Sequence, residues 1–217
     1  ENGNFQGGGN NGSFGKGDEL DFTNYGVKAG FTYKITGKHL FDVNGSMFSK
    51  APGIRSSYSN ARQTNASVIG LESEDIKSVD VSYIYRSPIL KARVTGFYSG
   101  FENGTDIGFY FTEDLAGLGV DNGDAFVQEI LTNVERRHVG VELGIEAQVT
   151  PTIKLKGAAS VGQYTFQNNP NLYLTSVDIN GPLTFGDGTT NLKDVHVAGG
   201  PERAFQLGFE YRDPDYW

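Results

Sequence analysis

The sequence contains no cysteine, a single tryptophan and a single methionine. Without cysteine the chain has no disulfide framework, no thiolate metal site and no cysteine nucleophile. It also has no stretch approaching the roughly 18 consecutive apolar residues of a membrane-spanning helix, which excludes a helical membrane protein. Positive charge is scarce, since 18 Lys and Arg residues stand against 26 Asp and Glu residues for a net charge of −8. An acidic chain repels phosphate backbones, so nucleic acid is not expected as a partner.

Motifs for catalysis or cofactor binding are missing as well. The chain has three histidines, which are His39, His138 and His196. Neither a G-x-S-x-G elbow nor an H-E-x-x-H pair occurs. Residues 12–17 resemble a phosphate loop only superficially, because Asn10 stands where its first glycine belongs, and residues 121–124 lack the spacing of an EF-hand. We therefore expect no enzyme activity, no cofactor and no metal site.

Glycine and aromatic residues are abundant, at 30 glycines and 12% aromatics. Aromatic side chains suit the pleated surface of a sheet and glycine suits tight bends, so this mixture indicates many strands and turns. Residues 1–18 are rich in Gly and Asn without periodicity and are predicted to be a loop or tail. Residues 19–217 are predicted to form the β domain.

From residue 24 onward, apolar and polar residues alternate with a period of two. In residues 24–36, for example, Val27 and Phe31 fall on one face and Lys28 and Lys34 on the other. Such alternation predicts strands with one apolar and one polar face. The seven segments with this pattern are 24–36, 39–48, 77–86, 89–99, 134–149, 153–166 and 203–212.

Three features favour an antiparallel transmembrane β-barrel over a soluble sheet. The strands exceed the usual five or six residues. Short turns alternate with long polar segments along the chain. The short turns are 36–38, 87–88 and 150–152, and the long segments are 49–76, 100–133 and 167–202. The polar faces carry full charges, which a dry core rejects; these are Lys28, Lys34, Asp80, Arg93, Glu142 and Glu146. A barrel with short periplasmic turns, long extracellular loops and a wet lumen accounts for all three.

Aromatic residues flank the apolar stretches at both ends, as the two interfaces of a membrane require. Those near the short turns are Tyr33, Phe41, Tyr83, Tyr85, Phe209 and Tyr211, and those near the opposite end are Tyr25 and Tyr98. The alternative is a soluble sandwich or solenoid with aromatic stripes. Seven strands do not close a bacterial barrel, which normally has an even number. Because Asp213 and Pro214 follow the seventh strand like another short turn, we expect the chain to be part of a larger barrel.

Two segments in the long loops, 107–112 and 126–131, are predicted to form a hairpin that extends beyond the membrane. Exposed aromatic side chains at this outer end are candidates for stacking on a ligand, and the alternative is packing between loops. These candidates are Phe109, Tyr110, Phe111, Tyr164 and Tyr173.

Several stretches, in this order along the chain, match one protein family. They are 21–30 (DFTNYGVKAG), 33–38 (YKITGK), 87–98 (SPILKARVTGFY), 140–146 (GVELGIE), 200–204 (GPERA) and 211–217 (YRDPDYW). Over residues 20–217 the chain resembles the C-terminal barrel portion of TonB-dependent outer-membrane receptors of the Bacteroidetes type.

The resemblance implies a 22-stranded barrel whose lumen is filled by an N-terminal plug. It also implies coupling through a TonB box to the TonB–ExbB–ExbD complex, import of a nutrient into the periplasm, and pairing in some members with a surface lipoprotein. The expected surroundings are outer-membrane lipid and the rest of the barrel and plug. A structural or interaction barrel that docks surface proteins without energy-coupled transport is the second hypothesis. The mixed charges of the polar face imply no particular substrate charge.

Overall fold

The computed structural model describes residues 19–113, 125–176, 181–213 and 215, which form eight strands and one short helix. The predicted tail at 1–18 and the two rejected motifs at 12–17 and 121–124 lie outside the described residues. The strands are β1 (Gly26–Lys34), β2 (His39–Lys50), β3 (Glu74–Arg86), β4 (Leu90–Thr112), β5 (Ala125–Gln148), β6 (Ile153–Phe166), β7 (Asn171–Thr175) and β8 (Arg203–Tyr211), and the helix is α1 (Ile54–Ser57).

All eight strands belong to one antiparallel sheet. Its main path runs β1-β2-β3-β4-β5-β6-β8, and β7 pairs with the part of β5 that lies away from the short turns. The end of the sheet away from the short turns is called its outer end below. The predicted all-β, antiparallel fold and its seven long strands are confirmed. Among the described residues β1 and β8 do not pair with each other, so this sheet is open rather than a closed barrel. Within the same residues, no helix is long and apolar enough to cross a membrane.

The predicted outer hairpin is not a separate element, because it continues β4 and β5. These strands have 23 and 24 residues and pair as far as Thr112 and Ala125. The register shifts on both sides of Gly104, and Asn103 and Asn133 have positive φ angles of 59° and 55°. A bulge of this kind inserts an unpaired residue and changes the phase of the alternation, which is why the sequence pattern stops at residue 99 and resumes at 134.

The long segment 167–202 contains β7, which the sequence analysis did not predict. Its five residues pair with Gln128–Thr132 of β5 and bury Tyr173 and Leu174. Nearby, Val68, Ile130 and Tyr173 form a small core with Leu71 and Ile107 packed against it. This core therefore lies at the outer end of the molecule, beneath the loop that joins β2 and β3.

The strand register brings the apolar sides of the seven long strands onto one continuous face. One row across it consists of Tyr33, Phe41, Tyr83, Val94, Leu143, Ala159 and Phe205. The charged sides of the same strands share the opposite face. The predicted separation into an apolar and a polar face is therefore confirmed across the sheet.

Candidate functional site: the two faces of the sheet

The apolar face is exposed along its whole extent. The exposed fraction reaches 92% for Leu207 and 77% for Phe209, and it exceeds 40% for side chains such as Val141 and Leu143 near the middle of the sheet. Burying a side chain of this type stabilises a protein in water by about 1.5–3 kcal/mol. Contact of a face of this size with water is therefore unfavourable.

The outer edge of the apolar face is inclined to the strands. The edge moves by two residues along the strand wherever an apolar residue on one strand pairs with a polar residue on the next. This happens at three places, where Met47 faces Lys77, Val139 faces Gln163, and Val161 faces Arg203. Three shifts make six residues over the six steps from β1 to β8. At about 3.3 Å per residue and about 4.8 Å per strand, the edge is inclined by about 35°.

The edge at the short turns shifts in the same direction. The last apolar residue there is Ile35 just beyond β1, Leu90 on β4, and Val149 just beyond β5. Ile35 lies two residues beyond Tyr33, and Val149 lies six residues beyond Leu143, which is in the same row as Tyr33. The edge therefore moves by four residues from β1 to β5. The apolar face is therefore a band whose two edges move in the same direction from β1 to β8, by six residues at the outer edge and by four at the short turns.

The polar face carries a hydrogen-bonded network centred on Arg93. Its guanidinium donates to Ser82 from Nη2 at 2.9 Å and from Nε at 3.2 Å, and to Thr95 from Nε at 3.1 Å. The Ser82 side chain is fully buried and lies 2.9 Å from the Thr95 hydroxyl. On the neighbouring strands Asn44 donates to Asp42 at 3.2 Å and to Asp80 at 3.1 Å. These contacts hold charges of both signs in fixed positions.

Ion pairs between adjacent strands continue this pattern toward the short turns. Glu146 lies 3.3 Å from Lys91 and 3.4 Å from Lys154, and Glu210 lies 2.6 Å from Lys156. Exposed pairs of this kind contribute about 0–1 kcal/mol each, so they are not what holds the sheet together. Their presence indicates instead that this face is in contact with water.

An aromatic layer lies at the outer end of the polar face. The His138 ring is placed between Phe101 and Tyr164, with centroid distances of 4.9 Å and 4.7 Å. The Phe97 ring covers Gly140, where a Cβ would come within 2.7 Å of Phe97 Cζ. Below this layer a concavity of about 1020 Å³ opens on the polar face, lined among others by Asn44, Asp80, Arg93, Phe97 and Glu142.

The five aromatic residues singled out from the sequence do not converge. Phe109 stacks on Phe126 at 6.1 Å, and Tyr110 and Phe111 are exposed beside it on β4. Tyr164 belongs to the layer around His138. Phe109 pairs with Gln128 of β5, and Tyr164 pairs with His138 of the same strand. Since ten residues of a strand span about 30 Å, Phe109 and Tyr164 are about that far apart.

The expectation that Tyr173 is exposed is wrong. Only 8% of this residue is accessible, because it packs against Val68 and Ile130. Its hydroxyl oxygen accepts a hydrogen bond of 2.9 Å from the backbone N–H of Ile69, and burial raises the pKa of the phenol. Tyr173 thus fixes the loop between β2 and β3 against β5, which is the loop packing that the sequence analysis gave as the alternative.

A loop ending at Glu202 covers the outer end of β6. The backbone N–H of Tyr164 donates to Glu202 Oε1 at 2.9 Å, and His196 Nδ1 lies 2.7 Å from the same oxygen. These two contacts hold the pKa of Glu202 below its ordinary value, the Tyr164 N–H having the larger effect. Backbone bonds from Val197 to Tyr164 and from Gly162 to Glu202 complete the attachment.

Sequence reasoning missed the aromatic layer around His138. The nearest signal was glycine at positions 140 and 162, which leaves room for the rings of Phe97 and Tyr164. Among the described residues no group of three His, Asp or Glu side chains is arranged to hold a metal ion. In comparisons with known proteins, no family model, no curated protein and no solved structure matches the chain.

Proposed function

We propose that this chain forms part of the wall of a β-barrel in a bacterial outer membrane, and that the barrel imports a nutrient into the periplasm by TonB-dependent transport. The observation that carries the membrane assignment is the inclined apolar band. Strands of transmembrane barrels tilt by about 35–45°, so a flat layer of lipid crosses them obliquely. The inclination of about 35° is the tilt that such a layer requires.

The height of the band supports the same assignment. On β5 it extends from Val139 to Val149, which is ten steps or about 33 Å along the strand. With a tilt of about 35° this length spans about 27 Å perpendicular to the layer. The apolar belt of outer-membrane barrels is about 25 Å tall.

The polar face supports a water-filled or plugged lumen. Its charges, such as Arg93 and Glu142, lie opposite the band at the same height. In a lipid-facing position near the midplane a basic side chain such as Arg93 would cost about 2–4 kcal/mol, and an acidic one such as Glu142 somewhat less. A barrel that turns this face inward avoids that cost and leaves the 1020 Å³ concavity open toward its lumen.

The transport assignment rests on the resemblance described above, from the segment at 21–30 to that at 211–217. It brings with it the plug, the TonB–ExbB–ExbD complex and the surface lipoprotein as proposed partners. The alternative is a structural or interaction barrel that docks surface proteins without energy coupling.

The membrane assignment is tested by spin labels at consecutive positions of β5. Because residues 1–217 contain no cysteine, each single Cys substitution from Val141 to Glu146 introduces one labelling position in this part of the protein. In the native protein in lipid, labels at 141, 143 and 145 should be accessible to oxygen, and labels at 142, 144 and 146 to a water-soluble nickel complex. Odd positions accessible to neither reagent would indicate a protein core and refute the assignment.

The transport assignment needs a separate test. The native protein, purified from membranes in mild detergent, should bind the purified periplasmic domain of TonB. A barrel that passes the spin-label test and does not bind this domain would support the alternative without energy coupling.

A further inference from the structure

Basic residues occur at the outer edge of the apolar band and not at the other edge. The first residue beyond the band is basic on three strands, where it is Lys77, Arg137 or Arg203. At the edge near the short turns, no described residue in the corresponding position is a lysine or arginine. The two edges of the band therefore differ in charge.

Lys77 and Arg137 form the closest pair of these residues. Lys77 on β3 and Arg137 on β5 both pair with Gly100 of β4, which lies between them. Both are on the apolar face, next to Val79 and Val139 respectively. Two strand spacings separate their Cα atoms by about 10 Å, so both long side chains can reach a group between them. Because Gly100 has no side chain, the space above it can hold the ring of Tyr98.

Tyr98 places a hydroxyl group in the same space. Its ring folds over Gly100, where a Cβ would lie 3.4 Å from the hydroxyl oxygen. A lysine, an arginine and a tyrosine hydroxyl are thus presented together. All three are hydrogen-bond donors, and such a set is suited to phosphate oxygens.

The two basic side chains differ in how well they are already paired. Glu102 accepts hydrogen bonds from Lys77 Nζ at 2.7 and 2.9 Å, and Asp75 accepts one from Tyr25 beside it. Both acids lie one row farther from the band. Arg137, in contrast, has a buried Nε with no hydrogen-bond partner and no carboxylate within 4.0 Å among the described residues.

We infer that Arg137, Lys77 and the Tyr98 hydroxyl bind the phosphate group of a glycolipid of the outer leaflet, of the lipid A type. This inference rests on the proposed membrane assignment. The acyl chains of such a lipid lie along the apolar band, and its phosphate is level with the first residues beyond the band. Arg137 supplies the free charge, and the contribution of Lys77 is reduced by its ion pair with Glu102.

The test measures how much lipid A the native protein retains in nanodiscs, by native mass spectrometry. Arg137→Gln should weaken retention about fivefold, the factor that corresponds to about 1 kcal/mol per basic residue near an anionic lipid. Arg137→Lys should restore most of it. Glu102→Gln should strengthen retention, because it releases Lys77 from its ion pair.

The matched control is Arg86→Gln, the same substitution on the polar face next to a short turn. It should leave retention unchanged. Dephosphorylated lipid A should bind to the unsubstituted protein at least as weakly as lipid A binds to Arg137→Gln, because it also loses the contacts with Lys77 and Tyr98. Displacement by millimolar inorganic phosphate would instead indicate a site for free phosphate and overturn the lipid assignment.

Retention that is unchanged in Arg137→Gln would refute the inference. The spin-label pattern of β5 separates this failure from failure of the membrane assignment. If the alternation of oxygen and nickel accessibility is present, only the phosphate site is refuted. If the alternation is absent, both proposals are wrong.

Discussion

Substitution of Gly140 by alanine tests the packing of the polar face. A Cβ at this position would lie 2.7 Å from Phe97 Cζ, 2.7 Å from the carbonyl oxygen of Val161 and 2.8 Å from Gly162 Cα. The Phe97 ring can rotate away, but the other two atoms belong to the backbone of β6. Forcing one methyl group into such a site costs about 1–3 kcal/mol.

The matched control is Gly144→Ala, on the same strand and the same face. Nothing lies within 4 Å of a Cβ there. Alanine also loses less backbone entropy on folding than glycine, so this variant should be neutral or more stable by up to about 1 kcal/mol. The difference between the two variants isolates the close contact between β5 and β6.

The assay is urea unfolding of the native protein in lipid vesicles, followed by tyrosine fluorescence. The Gly140→Ala midpoint should fall, and adding Phe97→Ala should recover only part of the loss, because the backbone contacts remain. A Gly140→Ala protein as stable as Gly144→Ala would refute the register between β5 and β6 from which these distances follow.

Three further predictions concern the outer end of the molecule. The lowered pKa of Glu202 means that its contribution to stability is complete above the ordinary value of 4.5 and is lost as the pH falls through the folded pKa. The protection factor of the Tyr164 amide, which compares its exchange rate with the intrinsic rate at the same pH, should therefore fall in acid, whereas in Glu202→Gln it should not change over this pH range. Tyr173→Phe removes the acceptor of the Ile69 N–H, so it should destabilise the loop between β2 and β3 by about 1–3 kcal/mol. The loss should appear as faster proteolysis within residues 51–73, and proteolysis at the unsubstituted rate would contradict the role of this hydrogen bond. Arg136 lies 3.1 Å from Glu74 and 3.5 Å from Asp106. Because Arg136→Met leaves the Glu74 charge without its partner, this single substitution should destabilise the protein more than the double substitution Arg136→Met with Glu74→Gln. Equal unfolding midpoints would show that the pair is not coupled.

The sequence predicted the seven long strands because each has two chemically different sides. Alternation from Val139 to Val149, for example, does not depend on which residues lie on the next strand. The pattern failed where the backbone itself changes phase, at the bulge with Asn103 and Asn133. It also missed β7, because a strand of five residues depends on pairing with β5 rather than on its own periodicity.

The candidate site was less accessible from the sequence. Tyr173 has the same chemistry as an exposed loop aromatic, and only its position against Val68 and Ile130 makes it a core residue. Phe97 and Gly140 are far apart in the chain and meet only through the register of β4 and β5. Contacts of this kind depend on tertiary structure, so no local pattern indicates them.

Alternation by itself does not distinguish a lipid-facing sheet from one half of a sandwich, since both have an apolar and a polar side. The outline of the apolar face is a stronger criterion. The core of a sandwich is covered by a second sheet crossing at about 30°, and nothing requires its two edges to be parallel. A lipid layer has two parallel surfaces, so both edges must move along the strands in the same direction. The shifts from Val27 to Phe205 at one edge and from Ile35 to Val149 at the other follow that rule, and for this reason the register supports a membrane more strongly than the composition does.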